Sequence, residues 1–270
     1  MNSLLGTIVI AALTAAGAIF GHAANGLTGE AIGLAVAAVF AVSSYWFGLD
    51  VAVGTHRAEP IDAADPRWRL VAEIVSGLSA RAGIPPPTVF RYASAEANCF
   101  TAGPTLRRSG ILIAEPMVEM LSREELVGVF AHEIAHIRNR DPVLMSIVTA
   151  ISALILSIGG AIALVGYASR KHGQLAKPIG IGIGVLTLAL QAVVSRSREY
   201  GADREGAAIC GNPLWIAAAL RKLAGQSPTG AGLPAFAGSQ FVSLEWVRLL
   251  NTHPEIDERI RRLEAMARTC

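Results

Sequence analysis

Apolar and polar positions along this chain alternate in long blocks rather than within single elements. Leu4 to Phe20 is a continuous run of apolar and small residues, Gly21 to Gly29 is a turn containing Gly and Asn, and Ala31 to Leu49 is a second run rich in Ala, Val and aromatics. Each run approaches the ~20 residues a helix needs to cross ~30 Å of hydrocarbon, so residues 1–49 are predicted to form an N-terminal transmembrane hairpin. A secretory signal peptide is the competing reading of the first run, but no basic segment precedes it and a second apolar run follows at once. Val143 to Ala168 is also long enough to span, whereas Pro178 to Val194 reaches only ~26 Å. Residues 143–195 are therefore expected to form an apolar hairpin that either spans the membrane or is embedded.

Between these blocks the patterning is that of a folded domain, expected to be mainly α with a small β-sheet. Asp65 to Ala82 reads as an amphipathic helix ending at Gly83, ahead of Pro85-Pro86-Pro87. Thr88 to Tyr92 and Ile111 to Ala114 are short strand candidates, with Asn98 to Ala102 an irregular strand between them. Ser122 and Glu125 form a capping box that starts a further helix through residue 139. Residues 225–240, rich in Gly and Pro, read as a linker, with a cover over a cleft as the second reading.

Composition sharpens the picture. The chain of 270 residues is 52% hydrophobic and 16% charged, with a mean hydropathy of +0.46, against about 25% charged residues in ordinary soluble domains. A wholly soluble fold and a disordered chain are both excluded. Ten basic residues lie in residues 50–142 and ten in residues 196–270, while the first turn has none, so the two polar blocks are expected in the cytoplasm. Arg170, Lys171 and Lys177 resist this scheme, because they would fall in the outward loop of the second hairpin. A net charge of +2, with no basic run beyond Arg107-Arg108 and Arg261-Arg262, argues against nucleic acid as a partner. Cys99, Cys210 and Cys270 are widely spaced and odd in number, as reduced thiols would be. Twenty Arg against three Lys suggest a GC-rich bacterial source, in which the apolar hairpins would make this a multi-pass protein of the bacterial cytoplasmic (inner) membrane.

The chemistry lies in the predicted helix after Ser122. His132 and His136 stand at i and i+4 on one face, where two imidazoles can bind one zinc ion, and Glu133 projects beside them. In a chain of this composition an accidental HExxH is expected in roughly one case in a hundred. Leu126 to Ala131 carry no charge, as befits a ligand helix that runs through a domain interior. A catalytic zinc needs a third protein ligand, and Asn139 and Pro142 rule out a third histidine further along. After the fourth apolar block, Glu199 and Asp203 stand at i and i+4, so Glu199 can bind zinc while Asp203 accepts a hydrogen bond from a ligand histidine.

Four segments carry a resemblance: HEIAHIRNRD at 132–141, SRSREYGAD at 195–203, Glu96-Ala-Asn-Cys-Phe-Thr-Ala-Gly, and THPEIDERI at 252–260. Together they resemble the HtpX family of membrane zinc metalloproteases, relatives of the CAAX prenyl protease. The resemblance implies a membrane-anchored zincin (gluzincin) fold with helical hairpins and one zinc ion held by His132, His136 and Glu199. It implies Glu133 as general base and endoproteolysis of damaged or misfolded membrane proteins, and the basic residues would put this active site on the cytoplasmic side. It also places His253 and Arg259 near the substrate and Asn98 at the cleft edge. The family usually has Asn-Ala-Phe-Ala where this chain has Asn98-Cys99-Phe100-Thr101, and Ala97 replaces a preceding Pro.

These residues suggest a mechanism in which Glu133 takes a proton from the attacking water and passes it to the leaving amine. His253, with Tyr200 behind it, is the candidate to stabilise the oxyanion. The expected partners are polypeptide substrates, added as a strand to a sheet edge, and the lipid bilayer. Two rivals remain: an intramembrane zinc protease, which usually takes its third ligand from an LDG-like segment, and an inactive membrane metal-binding adaptor. No Asp-Gly pair occurs in this chain.

Overall fold

The computed structural model describes residues 46–145, 173–226 and 256–268, with scattered positions between 25 and 39 and at 147, 148 and 155. Most of the first hairpin, most of Val143 to Ala168 and most of the 225–240 loop lie outside the described residues. Among the described residues no helix is long and apolar enough to cross a membrane. The chain divides into two compact units, Met1–Tyr45 with Leu144–Val194 and Trp46–Val143 with Ser195–Cys270. The second unit carries all the chemistry discussed below.

Its sheet consists of Glu59–Pro60 (β1), Thr88–Tyr92 (β2), Cys99–Ala102 (β3) and Gly110–Ala114 (β4), in the order β1-β2-β4-β3. β2 and β4 run parallel, with Thr88 opposite Gly110, and the outer strands are antiparallel to their neighbours. Every residue of β4 is buried. Successive side chains of a strand point to opposite faces, so Ile111 and Ile113 enter the main core while Leu112 and Ala114 join Leu49, Ala58 and Tyr92 on the other face. A strand buried on both faces reads as an unbroken apolar run, which is how Ile111 to Ala114 reads in the sequence. β3 is more regular than expected and lies outside β4, at the edge of the described sheet.

The mainly helical expectation also holds. Pro66–Ala82 (α1) begins at Asp65, whose carboxylate accepts from the Arg67 N–H, and ends at Gly83 as the sequence predicts. Its buried stripe of Trp68, Val71, Ile74, Val75, Leu78 and Ala82 packs on the helix that bears HExxH. Glu115–Met120 (α2) and Arg123–Arg138 (α3) follow, then Gly173–Cys210 (α4), Pro213–Gln226 (α5) and Ile256–Ala267 (α6). α4 joins the fourth apolar block and the Glu199 segment in one helix of 38 residues. The change from apolar to charged residues near 195 does not interrupt the helix. α3 runs through the core with Phe130, Ala131, Ile134 and Ala135 fully buried, packed by α1 and α5 and against β3.

Candidate active site

The register of α3 is set at its first turn. Ser122 Oγ accepts from the Glu125 N–H at 3.3 Å, and Glu125 Oε2 accepts from the Ser122 N–H at 2.7 Å. Lys222 Nζ on α5 donates to the same carboxylate at 2.6 Å. From that start the helical repeat brings His132 and His136 to one face, their rings 4.5 Å apart between centroids and nearly perpendicular.

His132, His136 and Glu199 form a group able to hold a metal ion. The two Nε2 atoms are 3.0 Å apart, and Glu199 oxygens lie 3.5 Å from His132 Nε2 and 3.6 Å from His136 Nε2. These separations bracket the edge of about 3.3 Å that bonds of ~2.0 to 2.1 Å make in a tetrahedron, so the donor set fits one zinc-sized ion. The tautomers fit as well. His132 Nδ1 lies 3.0 Å from Asp203 Oδ1, and His136 Nδ1 lies 2.8 Å from Asp141 Oδ2. An ionised carboxylate can only accept, so each Nδ1 carries the proton and each Nε2 is left to bind metal.

Arg259 from α6 completes the buried cluster. Its guanidinium donates to both Asp203 oxygens at 2.7 and 2.8 Å and lies 2.8 Å from Glu199. The resemblance puts this arginine near the substrate; the structure commits it to the two carboxylates of α4. Burial alone would raise the Asp203 carboxyl, but hydrogen bonds from His132 and Arg259 outweigh it and hold the group at about 2. Burial likewise works against a charged His132, yet Asp203 and Glu199 push this imidazole up to about 10. Metal ligation needs the neutral ring, so an ion and a proton compete for it.

Glu133 is buried beside the histidines. Burial raises its carboxyl above the usual value, with the Glu199 charge adding and the two imidazoles opposing. A raised carboxylate is the better proton acceptor. The Cys99 thiol, on β3, is pushed well up by its own burial and by the Glu133 charge. The first residue of the edge strand thus sits close enough to Glu133 to feel it. Asn98 is exposed at the start of β3, its carbonyl accepting from the Ala114 N–H at 2.8 Å. Tyr200 stacks beneath Arg262, 3.9 Å from guanidinium carbon to ring centroid, and so packs between α4 and α6. His253 lies outside the described residues.

Three contributors, Asp141, Arg198 and Gly206, have no role assigned from the sequence. Asp141 is signalled only by an Asn139-Arg140 turn pair ahead of it, and it reaches back to His136 because Arg140 takes a left-handed φ of 58°. Gly206 shows no signal, yet a Cβ there would lie 3.0 Å from the His132 backbone N and Cα, a tight contact that would press α4 away from α3 by a few tenths of an ångström.

Residues 67–267 match peptidase family M48. A protease HtpX homolog of Syntrophobacter fumaroxidans is 34% identical over 277 residues, covering 96% of this chain and 98% of that protein. A second, from Syntrophotalea carbinolica, is 33% identical over 282 residues, covering 98% and 99%. Among solved structures the fold resembles the crystal structure of S. mikatae Ste24p, with a TM-score of 0.59 at 18% identity, covering 96% of this chain and 62% of that one.

Proposed function

The chain belongs to peptidase family M48 and is a metallopeptidase, and from that premise we propose that it is a membrane-anchored zinc endopeptidase that cleaves damaged or misfolded membrane proteins. The observation that carries the zinc reading is the convergence of two Nε2 atoms and a Glu199 carboxylate, with Glu133 alongside. Zinc held there supplies Lewis acidity to a peptide carbonyl and acidifies the attacking water. Glu133 accepts the water's proton and delivers it to the leaving amine. Asp203 and Asp141 keep the imidazole protons on Nδ1, and Arg259 holds the carboxylates of α4 in place.

The substrate reading rests on β3. Its outer edge in the described sheet can take an extended polypeptide as a further strand, close to Glu133, with Asn98 at its start and His253 as the partner of the oxyanion. The membrane reading rests on the apolar blocks before residue 50 and within 143–195, and the cytoplasmic orientation on the basic residues between them. A quality-control role comes from the likeness to proteases of the HtpX type.

Cleavage of casein by the detergent-purified chain is the test. We expect hydrolysis that a chelator abolishes and zinc restores. Glu133→Gln should keep its zinc and lose hydrolysis by at least about a hundredfold, the span of a positioned general base. An equally active Glu133→Gln protein refutes the mechanism, and an inactive wild type that still binds zinc points to the adaptor instead.

A further inference from the structure

Each of the two candidate ligand histidines is backed by an aspartate that is in turn held by an arginine. His132 has Asp203 and Arg259; His136 has Asp141 and Arg198. The second relay is not part of the motif that defines the site. Asp141 is buried, with Oδ2 at 2.8 Å from His136 Nδ1 and Oδ1 at 2.6 Å from Arg198 Nε. Both of its oxygens are therefore engaged. Arg198 is the residue before Glu199 on α4. One carboxylate thus links an imidazole of the first ligand helix to the residue next to the third ligand on the second.

The backbone shows how Asp141 gets there. α3 ends at Asn139, and Arg140 then adopts a φ of 58°, a conformation that costs a residue with a Cβ about 1 kcal/mol or more. No glycine stands at the left-handed position to make that turn easy. What it achieves is the return of the next side chain to the ring five residues back.

From this geometry we infer that Asp141 is a positioning residue for His136, oriented by Arg198, and that the pair sets how well the site holds zinc. The inference rests on the zinc reading above. Its chemistry makes a sharp prediction about Asp141→Asn. The amide offers one oxygen and one NH2 where the carboxylate offered two oxygens. Arg198 can only donate, so it takes the oxygen. The NH2 then faces His136 Nδ1 and makes it an acceptor, which moves the ring proton to Nε2, the atom that must bind the ion. Removing Arg198 as well frees the amide to turn round and restore the correct tautomer.

The test measures zinc affinity of the full chain in detergent by competition with a chromophoric chelator, with thermal unfolding of the metal-free protein as the control for folding. Asp141→Asn should weaken zinc by about a hundredfold, the upper range for loss of such a partner. Asp141→Asn combined with Arg198→Met should recover at least about tenfold of that loss, which a purely structural role would not do. Should Asp141→Asn fail to fold, Arg198→Met alone decides, because loss of the second tether should weaken zinc about threefold. Zinc affinity of Asp141→Asn within twofold of wild type overturns the inference. So does a double variant that binds no tighter than Asp141→Asn, or an Arg198→Met protein with unchanged affinity. A wild-type chain that takes up no zinc defeats the metallopeptidase reading itself, a different failure.

Discussion

The two halves of α3 are held in different ways. The N-terminal half is closed by the exchange between Ser122 and Glu125 within its own sequence, reinforced by Lys222 of α5, and Gly128 lets the start of α5 settle onto the helix backbone. The C-terminal half carries both ligand histidines and depends on groups from elsewhere. Asp203 and Gly206 come from α4, Arg259 from α6, and Asp141 from beyond a left-handed turn. The first half fixes where the helix lies; the second fixes what it can hold. Damage to the first should therefore appear in stability and damage to the second in metal affinity.

The largest effect should come from Gly128→Ala. The new Cβ would lie 2.7 Å from the Trp215 carbonyl carbon and the Ile216 nitrogen, which are backbone atoms that cannot swing aside. Overpacking of this kind costs about 3 kcal/mol, read by thermal unfolding, while the folded fraction keeps its zinc affinity. Gly206→Ala should show the opposite balance. Its contacts, 3.0 Å to His132 N and Cα, are less severe and cost about 1 to 2 kcal/mol. Yet the helix they push away is the one that carries Glu199 and Asp203, so chelator competition should show weakened zinc. If both variants lose stability and zinc in the same proportion, the halves are not separable.

That division also marks what was legible in the sequence. The capping box, the HExxH face, the strands Thr88 to Tyr92 and Ile111 to Ala114, and the Glu199/Asp203 pair all follow from spacings within one element, and local geometry is what spacing encodes. Asp141, Arg198 and Gly206 act across elements, and nothing in the local pattern tells that a surface-like Asn-Arg-Asp turn folds back on the helix before it. Arg259 was found through the resemblance, but its partners depend on how α6 packs. β1, α2 and α5 were not anticipated: two are short, and α5 is an ordinary apolar helix with no chemical marker.

A smaller effect is expected from Ser122→Ala. Loss of an N-cap hydroxyl costs about 1 kcal/mol, visible as a lower unfolding temperature. Zinc affinity should not move, since ten residues separate the cap from His132. A variant that loses zinc without losing stability would show that the start of the helix sets the geometry of the ligands directly.

The smallest and most selective test is Glu125→Gln. Burial would raise this carboxyl, but the hydrogen bond from Lys222 and the bond with the Ser122 N–H outweigh it and bring it below its usual value. A group whose value is lowered by folding stabilises the protein above its unfolded value near 4.3, and that contribution disappears as pH falls through the folded value. Glutamine keeps an oxygen for the Ser122 N–H and gives up only the charge facing Lys222, a pair open to solvent on the lysine side. Near neutral pH the variant should therefore be less stable by about 0.5 kcal/mol. The gap to wild type should close on acidification of the metal-free protein, because both carry a neutral group at 125 once the glutamate is protonated. A gap that persists unchanged in acid would mean that the amide disturbs the capping box itself. A gap accompanied by altered zinc affinity would mean that the charge at the first turn reaches the ligand histidines about two to three turns away, and the separation of the two halves would fail at the point where the helix is most continuous.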